Sequence, residues 1–194
     1  MNIPRLQSSQ ATLLVVDVQD KLLVRMPDAA ALVRDVCFLI DVAKLVEVPV
    51  RATEQYPKGL GPTHEAIARR LPADLPAKVS FSCCGTPGLL ANLRENNRPC
   101  IVLAGMETHV CIMQTALDLL AEGFSVFLPV DALQSRGRLD HDMALRRMEA
   151  AGAVLTTVEA VAFEWLGGAD HPHFKAISKM IQARMAEICG QQND

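Results

Sequence analysis

Aromatic residues are scarce in this 194-residue chain: they make up 4% of it, with one Trp, one Tyr and six Phe. Few rings are therefore available for stacking a substrate, which by itself favours an interaction protein over an enzyme. No apolar run approaches the roughly 20 residues needed to span a bilayer. Basic residues are not in excess. The formal charge of −3 points to neither nucleic acid nor an anionic membrane as a partner. Cysteine is present but unpatterned, at Cys37, Cys83, Cys84, Cys100, Cys111 and Cys189. No C-x-x-C spacing occurs, the adjacent Cys83 and Cys84 make a poor zinc clip, and a disulfide framework is not expected at this size. Met1 to Gln10 has Pro4 and Arg5 but no apolar core, so it does not read as a secretory signal. A cytoplasmic, reducing setting is the expectation. Repeats, low-complexity segments and linkers are also lacking, so residues 1–194 read as a single domain.

What is present is an α/β alternation, half apolar and 21% charged, long enough to bury a full core. Its centre runs from Cys100 to Asp131. Ile101 to Ala104 are continuously apolar, as in a strand buried on both faces, and Gly105 ends the run. Ile112, Thr115, Ala116, Leu119 and Leu120 recur at helical spacing up to Gly123, and Phe124 to Val130 is a second β-branched run. A strand–helix–strand unit of this kind places its strands parallel with a right-handed crossover. Further strands are expected at Ala11–Val16, Val48–Thr53, Lys78–Ser82 and Ala153–Val158. Helices are expected over Asp28–Glu47, Thr63–Leu71, Thr86–Asn96, Leu139–Ala151, Glu159–Leu166 and His173–Cys189. The result is a three-layer α/β/α sandwich around a six-stranded parallel sheet.

In such a sheet the ligand crevice lies beyond the carboxyl ends of the strands. Asp17 follows the first strand directly, where a loop or capping role is the plain alternative. Cys111 falls at the first turn of the central helix. There the helix dipole favours thiolate and free N–H groups can bind an oxyanion, although a small apolar packing residue fits equally well. Lys78 reads alone as a solvated surface lysine. The loop from Glu54 to Pro62 holds two glycines and two prolines and forms a candidate crevice wall.

Taken together, Leu13-Leu14-Val15-Val16-Asp17-Val18-Gln19, Lys78-x-x-Phe81-Ser82 and Gly105-Met106-Glu107-Thr108-His109-Val110-Cys111 resemble the isochorismatase-like cysteine hydrolases. Thr53 to Gly61, Asp131-Ala132, Thr156 to Ala160 and His171 to Ser178 extend the resemblance toward the isochorismatase domain-containing subgroup, over nearly the whole chain. The resemblance implies a triad: Cys111 as nucleophile on an acyl carbon, Asp17 as the group that takes and returns the proton, and Lys78 as the charge that stabilises the thiolate and orients Asp17. It also implies a cis peptide between Met106 and Glu107 that aims the Glu107 N–H, with that of Cys111, at an oxyanion. Gln19, Glu54, Gln55 and Phe81 are candidate substrate contacts. A homo-oligomer, dimer or larger, is implied as well.

The nicotinamidase branch of that family binds a metal through Asp-x-His and a further His after the second strand. Thr53-Glu54-Gln55-Tyr56-Pro57 has no such residues. His64 stands alone, and His171-x-His173 around Pro172 reads as a turn, so neither a metal nor another cofactor is expected. Isochorismate itself is a vinyl ether whose hydrolysis can proceed without the cysteine, so Cys111 tilts the reading toward small amides or related acyl compounds. A catalytically silent family member acting as an oligomeric binding protein is the alternative. A flavodoxin-like nucleotide binder is disfavoured, because Asp17 to Lys21 carries acid and no glycine where a phosphate would sit. His109 reads as a packing residue, a subunit contact or a site residue.

Overall fold

The computed structural model describes residues 5–191. Seven strands form one sheet: β1 (Ala11–Val16), β2 (Val50–Gln55), β3 (Ala77–Lys78), β4 (Cys100–Met106), β5 (Ser125–Pro129), β6 (Leu133–Gln134) and β7 (Val154–Thr156). The order is β3-β2-β1-β4-β5-β7, with β6 pairing the far end of β4, and every pairing is parallel. Nine helices accompany it among the described residues: α1 (Asp20–Leu23), α2 (Ala29–Leu45), α3 (Pro57–Leu60), α4 (Glu65–Ala68), α5 (Leu89–Glu95), α6 (Met113–Ala121), α7 (Arg138–Ala150), α8 (Val158–Leu166) and α9 (Phe174–Gln191). This is the expected α/β architecture, a parallel sheet flanked by helices.

The period-two alternation of a strand explains the layers. Leu13, Val15, Val102 and Ala104 face one core with Leu32, Val36, Leu39, Val161, Trp165 and Ile177 from α2, α8 and α9. Leu14, Val16, Ile101 and Leu103 face the other, with Leu93, Ala116, Leu119 and Met148 from α5, α6 and α7 and Ile112 from the turn before α6. β1 and β4 are buried along their whole length, which is why both read as apolar runs, interrupted in β1 only by the buried Thr12. Each such Leu, Ile or Val contributes roughly 1.5–3 kcal/mol relative to its exposed state.

Several boundaries differ from expectation, each for a local polar reason. The strand expected over Lys78–Ser82 stops at Lys78, because the chain bends back to bring the Ser80 and Phe81 carbonyls onto the Lys78 ammonium. Thr63 does not cap a helix. Its N–H and hydroxyl both donate to Glu54 Oε1, at 2.7 and 2.8 Å, and His64 caps the short α4 instead. The helix expected from Thr86 begins at Leu89, after Gly88 in the left-handed region. β2 runs on through Glu54 and Gln55, and part of the loop expected after Ala132 pairs as β6.

The chain winds outward in opposite directions from β1 and β4, so the switch point lies between their carboxyl ends. Two residues there have unusual backbones. Asp17 sits at φ 54° and Gly105, in register with Val16, at φ 124°. A side chain at 105 would place its Cβ 2.2 Å from the Val16 carbonyl oxygen. Only glycine lets β4 approach β1 this closely. Gly105→Ala is therefore expected to cost more than about 3 kcal/mol, from left-handed strain plus an immovable backbone clash. Urea unfolding against wild type checks this, and a midpoint within error of wild type would contradict it.

Candidate active site

Two strand ends and one turn deliver the expected residues to a single point. Asp17 leaves β1, Lys78 ends β3 and Cys111 lies in the turn after β4. Lys78 Nζ sits 2.6 Å from Asp17 Oδ2, with the two side chains 1% and 0% exposed. Cys111 is buried, and its thiol lies close enough to the Asp17 carboxylate for the two to interact electrostatically. A lysine that reads as a surface residue in isolation is thus one half of a buried ion pair. Its remaining hydrogen-bonding capacity goes to Gln55 Oε1 at 2.8 Å and to the Phe81 and Ser80 carbonyls at 3.0 and 3.2 Å. An ammonium in this position is tolerated only because every donor has a partner.

The turn that carries Cys111 is wider than an ordinary helix start. The Met106–Glu107 peptide is cis. Residues Thr108–Ile112 then form one π-helical turn leading into α6, with the Glu107 carbonyl accepting the Val110 and Ile112 N–H groups at 3.0 and 3.2 Å. Residues 135–141 hold this turn from the side. His109 Nδ1 lies 2.9 Å from Ser135 Oγ, and His141 Nδ1 lies 2.9 Å from Thr108 Oγ1. Glu107 Oε1 accepts the Arg136 N–H at 3.4 Å and lies 3.7 Å from Arg136 Nε. Among the alternatives for His109, the structure shows an anchor for the turn.

The electrostatics differ from a simple helix-end thiolate. Burial, and next the adjacent Asp17 carboxylate, push the Cys111 thiol up to about 12, and Lys78 offsets only part of this. Burial also raises the Asp17 carboxyl above its ordinary range, against the opposing pull of Lys78, Thr53 and Cys111. Expected activation by the helix dipole gives way here because the thiol is enclosed beside a negative charge. Burial beside Asp17 therefore favours the neutral thiol at rest.

The four candidate substrate contacts fall in different places. Gln19 is 0% exposed and its amide bridges to the Gln55 main chain and the Gly61 carbonyl, so it ties the loop after β2 to β1. Glu54 is engaged with Thr63. Gln55 accepts from Lys78 and donates to the Val79 carbonyl. Of the four, only Phe81 has an exposed side chain, and its carbonyl also serves Lys78. The other three side chains are engaged in hydrogen bonds within the protein.

Thr53, Cys83 and Thr115 were not singled out as site residues from the sequence, although Thr53 and Cys83 lie beside Asp17 and Thr115 holds Cys83. Thr53 Oγ1 donates to Asp17 Oδ1 at 2.9 Å, and Cys83 Sγ lies 3.4 Å from the same hydroxyl. The available signal was the position of Thr53 on the strand beside β1. Among the described residues no three His, Cys, Asp or Glu side chains gather as a metal set. His171 Nδ1 accepts the His173 N–H at 3.1 Å, as a turn would require. A cavity of about 900 Å³ lies apart from Asp17, Lys78 and Cys111, with Phe38 of α2, Met180 of α9 and Arg70 beyond α4 in its lining.

A parallel α/β sheet with a buried acid, lysine and thiol at its switch point defines a class of cysteine-bearing α/β proteins. The isochorismatase domain model matches residues 11–160, and the chain belongs to that family. It is 40% identical over 182 residues to isochorismatase domain-containing protein 2 of Xenopus laevis, covering 92% of this chain and 87% of that one. Among solved structures it superposes on the MAR1 ribonuclease of Caenorhabditis elegans with TM-score 0.87 and 38% identity, covering 92% and 93% of the two chains. It also superposes on the YcaC gene product of Escherichia coli, described as an octameric hydrolase of unknown specificity, with TM-score 0.85 and 25% identity over 100% and 98%.

The raised thiol makes a signed prediction. Alkylation of Cys111 by iodoacetamide is expected to be slower at pH 8 than that of exposed Cys189, and to climb with pH well above 9 without a plateau. Asp17→Asn removes the adjacent negative charge while Lys78 remains, so it lowers the Cys111 midpoint and speeds alkylation at pH 8. Site-resolved mass spectrometry reads both, and slower alkylation in Asp17→Asn would contradict this electrostatic account.

Proposed function

We propose that this chain is a cysteine hydrolase that cleaves small amides or related acyl compounds through a thioester on Cys111. The observation that carries the reading is the Asp17 carboxylate, which accepts from the Lys78 ammonium and lies beside the Cys111 thiol in one buried site. Sulfur attacks the acyl carbon as its proton passes to Asp17. Because burial keeps the thiol protonated at rest, attack and proton transfer are coupled and no thiolate is formed in advance. The Glu107 and Cys111 N–H groups stabilise the oxyanion. Asp17 returns the proton to the departing nitrogen, which leaves as an amine. Water then attacks the thioester, with Asp17 again as base, releasing the acid and restoring the thiol. Lys78 stays charged throughout and keeps Asp17 able to ionise.

On this reading the partner is a small molecule, with no nucleic acid, membrane or metal involved, and the setting is cytoplasmic. The name of the C. elegans neighbour raises RNA as a competing substrate. A net charge of −3 and a site whose one lysine is engaged with Asp17 disfavour a polyanion here. The second reading, a non-catalytic oligomeric binding protein, draws on the exposed Val79, Phe81, Leu139 and Met143. A homo-oligomer fits both readings, as the octameric neighbour suggests.

Incubation with a panel of small primary and N-substituted amides, with an RNA arm alongside, separates these readings. The expected result is release of acid and amine or ammonia, an acyl adduct on Cys111 by mass spectrometry, and a loss of more than about 1,000-fold in Cys111→Ala with the fold retained. RNA cleavage that survives Cys111→Ala, or adducts spread over all six cysteines, would count against the proposal.

A further inference from the structure

One buried polar chain beside the triad has no part in the chemistry above. Thr53 Oγ1 donates to Asp17 Oδ1 at 2.9 Å and has Cys83 Sγ at 3.4 Å. A hydroxyl has one hydrogen. With that hydrogen on Asp17, the Cys83 S–H is the donor in the second contact. The chain therefore runs from Cys83 S–H to the Thr53 hydroxyl to the Asp17 carboxylate. Thr53 is 1% and Cys83 0% exposed. Cys83 is itself held in place, its main-chain N–H donating to Thr115 Oγ1 at 2.9 Å on the helix that follows Cys111.

β2 serves both halves of the ion pair. Thr53 and Gln55 are two residues apart and so share a face of the strand. Thr53 donates to the acid, and Gln55 accepts from the base at 2.8 Å. The carboxylate torsion is intrinsically soft, and Lys78 holds only Oδ2. A second bond to Oδ1, from a β-branched side chain with a stiff χ1 on a neighbouring strand, fixes the carboxylate plane. Hydrogen bonds in series also polarise one another, so the thiol behind Thr53 strengthens the bond to Asp17.

We propose that Thr53 is a positioning residue for the Cys111 chemistry, its hydroxyl, backed by the Cys83 thiol, locking the Asp17 carboxylate in the orientation that receives the Cys111 proton. The inference rests on the reading of Cys111 as nucleophile and Asp17 as base. Thr53 touches no reacting atom and acts through Asp17. The titratable groups facing Asp17 are Lys78 from β3, Cys111 from the nucleophile turn and Cys83 from the segment after β3.

The test is the Asp17 titration followed by carbon NMR on protein labelled at the aspartate carboxyl carbons, with Asp17→Asn identifying the resonance. It needs no substrate, so its failure and the failure of the hydrolase reading are separable. Thr53→Val keeps the shape and removes a donor to the charged form. The Asp17 midpoint is expected to rise by about one unit. Thr53→Ser restores the hydroxyl and is expected to stay near wild type. Cys83→Ala is expected to shift the midpoint upward by less than Thr53→Val. On any amide found to be cleaved, Thr53→Val lowers kcat with KM little changed and moves the acid limb of the pH profile upward. If Thr53→Val does not fold, Thr53→Ala and Cys83→Ala supply the same comparison. An unchanged midpoint in a folded donor-less variant, or a Thr53→Ser shift as large as that of Thr53→Val, would overturn the proposal.

Discussion

Everything at the carboxyl edge of the sheet is arranged around one ion pair, Asp17 with Lys78, held 2.6 Å apart and out of water. Two charges in such a place are costly unless both are fully partnered, and removing either partner from a buried pair costs about 3–5 kcal/mol. The surrounding structure meets that condition. Thr53 and Gln55 reach the pair from β2, and the chain after β3 bends so that two carbonyls face the ammonium. The early end of β3 is part of the same solution. A longer strand would direct those carbonyls into the sheet ladder and leave Lys78 with unused donors.

The same constraint shapes the other side of the crevice. Gly105 lets β4 approach β1 closely at the point where Asp17 turns away in a left-handed conformation. Backbone strain of this kind, on the order of 1–3 kcal/mol, persists only where surrounding contacts over-determine it. Here those contacts are the Asp17 N–H to Thr53 carbonyl bond and the carboxylate's own partners. The wide turn carrying Cys111 is likewise over-determined, by Glu107, His109 and Thr108 bonds to residues 135–141. The proposed nucleophile and base are therefore each positioned by backbone and by side chains from distant parts of the chain. On the proposed reading, proton-coupled attack starts from a neutral thiol, with the proposed proton acceptor lying beside it.

Most of the fold was legible in the sequence. Apolar runs at Ala11–Val16 and Ile101–Ala104 mark strands covered on both faces, and the helical spacing in α2 and α6 marks what covers them. The boundaries that differed lie where side chains compete with backbone hydrogen bonding. Thr63 is taken by Glu54 and Lys78 draws the following carbonyls to itself. Helix and strand periodicity carry no trace of such bonds. Asp17, Lys78 and Cys111 were identifiable only as a set, through their resemblance to a family pattern, because each alone has an ordinary surface or core explanation.

The sequence by itself determined the layer architecture, the residues at the strand ends and the family, because hydrophobic period and motif are properties of local order along the chain. Tertiary structure alone decided which of those residues meet. It buried Lys78, turned Gln19 and Glu54 into ties for the loop after β2, and set Thr53 and Cys83 behind Asp17. It also decided the charge state of Cys111. A helix-end thiol is activated or silenced by what encloses it, and here the enclosing groups come from β1, β3 and the segment after β3, as far as 94 positions away in the chain (from Asp17 to Cys111, 111 less 17). Proximity between residues so distant in sequence is set by strand order and register, which no local pattern encodes.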